Sequence, residues 1–118
     1  MSKKVLVISS SLRSIVTITA LISKGITDSS LKYHLSTART NGGGQLLICV
    51  DGEGWYQEEG KPAHSLSVGD VVTIPANVKH WHGAKADSWF SHIAVEVPGE
   101  DCRNEWCEPV SDTEYNAL

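Results

Sequence analysis

Basic charge is scarce in this chain. Ten Lys and Arg stand against fourteen Asp and Glu, giving a formal charge of −4 and a pI of about 5.6. The basic residues are scattered, with only Lys3 and Lys4 adjacent. Nucleic acid and anionic membrane surfaces both demand a concentrated basic face, so neither is expected as a partner. Cysteine is scarce too: Cys49, Cys102 and Cys107 make neither an even set nor a Cys-x-x-Cys pair. That speaks against a disulfide scaffold or a zinc knuckle and for the reduced thiols of a cytoplasmic protein. Long hydrophobic runs are missing as well. Residues 1–23 begin like a secretory signal, but Ser9, Ser10, Ser11 and Arg13 break the apolar stretch and no Ala-x-Ala site follows. The same breaks leave it short of the roughly 20 apolar residues of a membrane span. At 118 residues, with no repeat or low-complexity tract, the length suits one modest domain.

What the chain does contain is strand periodicity. Short β-branched or apolar stretches at residues 5–8, 15–22, 45–50, 54–57, 71–74 and 89–97 are separated by turn residues. The turns are Gly42-Gly43-Gly44, Asp51-Gly52, the tip Glu58-Glu59-Gly60-Lys61, Val68-Gly69-Asp70 and Pro98-Gly99. Eight or so strands at this spacing predict an all-β antiparallel sandwich or barrel. One short helix is expected at the end, where Ser111 and Glu114 have capping-box spacing and Pro109 lies just ahead.

The run His80-Trp81-His82 points to chemistry. On a strand, the two imidazoles share one face and Trp81 takes the other. Two histidines suggest a metal or proton-transfer site but do not complete one, because manganese, iron and zinc normally take three or four protein ligands. His92 and Glu96, four apart on a later strand, also share a face. Gln45, His80, His82, His92 and Glu96 are therefore expected to converge on one interior cavity. Proximity to Glu96 should keep His82 or His92 titrating near neutral pH, while His80 stays uncharged. His34 reads as an ordinary strand residue and His64 as an exposed one.

Two spacings go beyond generic patterning. Gln45 is followed by six residues and Gly52; Gly69 is followed by five residues and Pro75, then Asn77 and His80. Together these resemble the cupin signature. The stretches ARTN, GGQLL, GEGWYQEEGKPAHSL, GDVVTIPANVKHWHGA and SHIAVE resemble small single-domain cupins related to carboxymuconolactone decarboxylase and to the manganese-dependent hydroxynitrile lyases, over residues 31–118. The spacings also make mechanical sense. Gly52 and Gly69 sit where turns need positive φ, Pro75 fixes φ at a strand end, and Asn77 tolerates the left-handed conformation. The resemblance departs in one place: Asn41 runs straight into the triple glycine, where family members carry a His-x-His pair that supplies half of the metal shell.

The resemblance implies a small cupin barrel (a double-stranded β-helix or jelly roll) over residues 31–118 with a short C-terminal helix, homodimerisation, and a small-molecule ligand in the barrel. Gln45 and His80 stand at family metal-ligand positions, for manganese, iron or zinc in a weakened site. His82, His92 and Glu96 would move protons in residual metal-assisted lyase or oxygenase chemistry. A non-catalytic binding or assembly module is the competing expectation. Residues 1–30 are expected to supply an N-terminal strand that pairs with the barrel or with a second subunit. The first 14 residues resemble the opening strand and phosphate loop of flavodoxin-like NADPH-dependent FMN reductases. That match ends where a helix should start, so flavin binding is not expected.

Overall fold

The computed structural model describes residues 5–9, 17–24, 31–39 and 42–118. These form ten strands and one helix. In chain order they are β1 (Val5–Ser9), β2 (Thr17–Lys24), β3 (Lys32–Thr37), β4 (Gln45–Gly52), β5 (Gly54–Glu58), β6 (His64–Leu66), β7 (Val71–Ile74), β8 (His80–Ala84), β9 (Trp89–Glu96), β10 (Arg103–Pro109) and α1 (Asp112–Asn116). Every paired strand runs antiparallel, in two five-stranded sheets ordered β1-β2-β9-β4-β7 and β10-β3-β8-β5-β6. The chain is thus mostly β with one short C-terminal helix, and residues 44–97 are strand and turn throughout.

Strand alternation divides the buried side chains into two groups. Leu47, Cys49, Tyr56, Leu66, Ile74, Ala84, Phe90 and Ala94, drawn from both sheets, pack into one cluster between them. Tyr33, Trp81 and Tyr115 form a second cluster with Leu31, Trp55, Cys107 and Val110, on the outer side of the second sheet. Neighbours in sequence go opposite ways: Trp55 joins the outer cluster and Tyr56 the inner one, as the period of two requires.

The helix seals the outer cluster. Ser111 is its N-cap; the Oγ accepts from the Glu114 backbone N–H at 3.1 Å and donates to Glu114 Oε1 at 3.0 Å. Glu114 Oε2 in turn accepts from the Tyr33 hydroxyl at 2.6 Å, and the Tyr115 hydroxyl donates to the Ala84 carbonyl at 2.6 Å. Burial, reinforced by the Glu114 carboxylate, pushes the Tyr33 hydroxyl up to about 12. A five-residue helix is too short to persist alone. Its cap and two tyrosine hydroxyls tie it to the sheet.

β1 pairs with β2, and β2 pairs with β9 of the same chain from Ile18 with Val95 to Lys24 with Trp89. The first strand is thus followed by an antiparallel partner, where a flavodoxin-like unit would cross over through a helix. The serine-rich stretch behind the flavin resemblance lies at residues 9–11, of which 10 and 11 are outside the described residues. Four strands lie outside the six periodic stretches: β3 and β8, expected only through His34 and His80-Trp81-His82, and β6 and β10, which are not expected. β6 is three residues long, and β10 is an edge strand in which six of seven residues are exposed, so neither alternates visibly.

Gly52 (φ 73°) and Gly69 (φ 93°) have the positive φ expected of them, and Asn77 is left-handed at φ 68°. At Gly52 conformation and space coincide. β4 shifts register against β9 between Cys49 and Asp51, and a Cβ on Gly52 would lie 1.8 Å from the Trp89 carbonyl oxygen. Gly60 (φ 77°) has nothing within 4 Å of its would-be Cβ. Gly60→Ala should therefore cost only the left-handed penalty, about 1–2 kcal/mol. Gly52→Ala should cost at least twice that in urea denaturation, because strand β9 must also move. Equal losses would show that the β4–β9 approach is not as close as described.

Candidate functional site

Four strands aim polar side chains into one end of the space between the sheets. β8 turns His80, His82 and Ala84 inward while Trp81 goes out. β3 presents His34 and Ser36, β4 presents Gln45, and β9 presents Phe90, His92, Ala94 and Glu96. His34, Ser36, Gln45, His80 and His92 are all buried, with His80 at 0% exposure. The imidazoles form a chain of contacts. Ring centroids are 5.4 Å apart for His34 and His80, 6.0 Å for His80 and His82, and 4.6 Å for His82 and His92, the last pair bridging the two sheets. Tyr56 lies 5.8 Å from His80 and Phe90 lies 4.9 Å from His92, so the histidines adjoin the apolar cluster.

The hydrogen bonds fix which atoms face inward unpartnered. His80 Nδ1 lies 3.0 Å from the Val78 carbonyl. A carbonyl only accepts, so Nδ1 carries the proton in the neutral ring and Nε2 is left as a lone-pair acceptor. The Gln45 amide nitrogen donates to Glu96 Oε1 at 3.3 Å across the β4–β9 register, leaving Gln45 Oε1 as a second acceptor. Among the described residues, His80 Nε2, Gln45 Oε1 and His82 Nδ1 are buried without a hydrogen-bond partner. Most buried polar atoms in folded proteins are partnered, so three together mark the site.

Burial dominates the acid–base behaviour. It lowers His34 from its usual 6.5 to about 4, with His80 reinforcing the shift and Asn104 opposing it. It lowers His80 against the Val78 carbonyl and the Glu58 carboxylate. It lowers His82 furthest, helped by His92, His80 and His34. His82 as a residue keeps some exposure, but its Nδ1 is closed off. Glu96 moves the other way: burial raises its carboxyl, while hydrogen bonds from Gln45 and Asn104 hold it down.

The expected five residues therefore gather as two groups. His80, His82 and His92 touch in series, while Glu96 engages Gln45 and Asn104. The expectation that Glu96 would hold His82 or His92 near neutrality is corrected at His82, which lies on β8 in the sheet opposite Glu96 and is not among the groups Glu96 acts on. What acts on His82 is burial and other imidazoles. Two participants were missed in the sequence. His34, read as an ordinary strand residue, is paired across β3 and β8 with His80. Asn104 on β10 hydrogen-bonds both His34 and Glu96 and so links the two groups. The alternation of His34 with Ser36 was the available signal for the first; nothing in the exposed β10 sequence marks the second. His64 is exposed, as expected.

The donor set does not suit a resident transition metal. His80 Nε2 and Gln45 Oε1 are the atoms an ion would take, and both are neutral. Among the described residues no group of three or more His, Cys, Asp or Glu is arranged to hold an ion. Two neutral donors fall short of the ligand number and charge that give such sites their affinity.

Stability should follow the buried imidazoles. Unfolded histidines titrate near 6.5 and these titrate lower when folded, so their contribution is complete above about pH 6.5 and is lost as pH falls toward 4. For His34 that is on the order of a few kcal/mol. Glu96 acts oppositely, favouring the fold while protonated and losing that contribution as pH rises through its raised value. The thermal midpoint should fall between pH 7 and pH 4.5, and His34→Gln should flatten the fall. An equally steep fall in the variant would remove His34 as its source.

No protein-family model matches the chain. The (R)-mandelonitrile lyase of Granulicella tundricola is 38% identical over 72 residues, which are 61% of this chain and 55% of the enzyme. The chain thus spans about half the length of that curated relative. A cupin-like protein from Thermotoga maritima is 33% identical, with 98% of this chain and 81% of that one covered and a TM-score of 0.74. HppE in its Fe(II) form shares the fold at 19% identity and a TM-score of 0.56, over 69% of this chain and 42% of its own. Sequence identity to the Thermotoga protein across nearly all of this chain, on the double-stranded antiparallel fold described above, makes the chain a member of the cupins, as a small cupin-like β-domain.

Proposed function

We propose that this chain is a small-molecule-binding cupin in which the metal centre of the family has been reduced to two of its positions. One observation carries the proposal: His80 Nε2 and Gln45 Oε1, at the places where the cupin resemblance puts metal ligands, are buried and unpartnered, and among the described residues no set of three His, Cys, Asp or Glu is arranged to hold an ion. Buried acceptors of this kind cost free energy unless something donates to them. A ligand held by hydrogen bonds satisfies them without needing the missing His-x-His pair.

A second reading, residual lyase chemistry, is supported by the identity to a mandelonitrile lyase. His82 would be its proton acceptor, being partly exposed and in contact with His92. A general base works best with a pKa near the operating pH, and burial has moved His82 well below that. The imidazole is a weak base there, which favours binding over catalysis.

Metal content separates the two. Protein exposed to Mn(II), Fe(II) or Zn(II), desalted and subjected to elemental analysis should retain well under one ion per chain. One ion per chain, lost on His80→Ala, would contradict the proposal and return the chain to the metal-dependent cupins.

A further inference from the structure

We propose that a second copy of this chain docks on the outer face of the first sheet, face to face across a two-fold axis. Alternation along β4 and β9 buries Leu47, Cys49, His92 and Ala94 on the inner side, so Leu46, Ile48, Ile93 and Val95 stand on the outer one. These four are opposed in register, Leu46 to Val95 and Ile48 to Ile93, and β7 adds Val71 opposite Ile48. All four are partly exposed and none belongs to either buried cluster. Val71 is 57% exposed, and Val50 and Trp89 at one end of the same strands are 44% exposed. On the other side of β9, Ile18 and Ala20 of β2 stand opposite Val95 and Ile93. Among the described residues the helix lies over the other sheet, so the outer aliphatic row meets no second layer. A contiguous exposed apolar face of this kind marks an interaction surface.

Area and charge select a second copy as the occupant. The strands of this sheet are 5, 8, 8, 8 and 4 residues long. At about 3.3 Å per residue and about 4.8 Å between strands, the face measures roughly 500 Å² in projection. Two copies together reach the roughly 1,000 Å² that a specific interface needs. Each chain carries a charge of −4, so two copies repel unless they meet through an uncharged surface. The middle of this sheet is one: Asp51, opposite Ser91, and Lys24, opposite Trp89, stand at the Trp89 end of β9. A charged partner would find nothing there to pair with, and an anionic membrane would need a basic rim. A two-fold contact uses the same patch on both copies, which a flat aliphatic sheet provides, packed at about 10 Å with strands roughly 30° apart. β9 is the central strand of the five and Ile93 lies near its middle, which places Ile93 closest to the axis. Such a contact uses the face of the sheet and leaves its β1 edge unpaired, in contrast to strand exchange through the N-terminal segment. It also backs the strands that carry Gln45, His92 and Glu96.

Light scattering on the full chain at micromolar concentration should report a dimer. Ile93→Lys and Ile48→Lys, which put a charge in the middle of the face, should each raise the dissociation constant at least about a hundred-fold, because the ammonium would be desolvated without a partner. Circular dichroism should remain that of the folded chain. Trp106→Lys, at an exposed position on the edge of the other sheet, should leave the dimer intact. A wild-type monomer, or a dimer that survives both isoleucine variants in folded form, would overturn the proposal. Should a variant fail to fold, the wild-type dimer decides. In a mixture of carbon-13-labelled and unlabelled chains, isotope-filtered NOEs should reach the methyls of Ile48, Ile93 and Val95 from the other copy, and a dimer without them meets elsewhere. A monomer that binds phosphatidylcholine vesicles would give the face to lipid and overturn the proposal as well.

Discussion

The two-residue period of β8 governs this molecule. A strand cannot send His80, Trp81 and His82 the same way, and each direction commits a different part of the fold. Trp81 goes outward, fully buried beside Tyr33 and Tyr115, with its indole N–H donating to Gln57 at 2.9 Å. That outer cluster is what α1 covers, and the Tyr115 hydroxyl closes back on Ala84 at the end of the same strand. With Trp81 fixed, His80 and His82 have no alternative to the space between the sheets. A slip of one residue would bury two imidazoles under the helix and place an indole among Tyr56, Phe90 and His92.

Once inside, the imidazoles are governed by desolvation. Glu58 is the register partner of His80 across β5 and β8, and Glu96 is engaged by the amides of Gln45 and Asn104. With no counter-charge in contact, the neutral rings win, and the cluster offers hydrogen bonding in place of electrostatic binding. The triple glycine bears on the same point. Gly42, Gly43 and Gly44 all have positive φ, and added Cβ atoms would meet Pro98 O at 2.7 Å, Ala38 Cβ at 2.7 Å and Ile74 O at 2.3 Å. This bend is closed against its neighbours, and it stands where the family resemblance calls for the His-x-His pair. The chain is thus packed around the shortened connection, with no space left at those positions for side chains.

Local features of the fold could be read from the sequence because their causes are local. Gly52, Gly69 and Asn77 answer to backbone conformation, Ser111 and Glu114 to the orphan amides of one helix end, and the all-β class to a period of two. Features set by distant pairing could not. β10 hides because its residues are charged and exposed on an edge, and with it Asn104, whose importance exists only once β10 lies beside β3 and reaches Glu96. His34 gains meaning from its register with His80.

The central claim is that His80 is a neutral imidazole whose Nε2 lone pair faces the interior. Nitrogen-15 spectra of the ligand-free protein, recorded from pH 8 to pH 5 with long-range proton correlation, distinguish the two neutral tautomers and the imidazolium. The account requires the Nδ1–H tautomer of His80 at pH 8 and a titration midpoint below the free-histidine value. A proton on Nε2 at pH 8, or a titration midpoint near the free-histidine value of about 6.5, would contradict it.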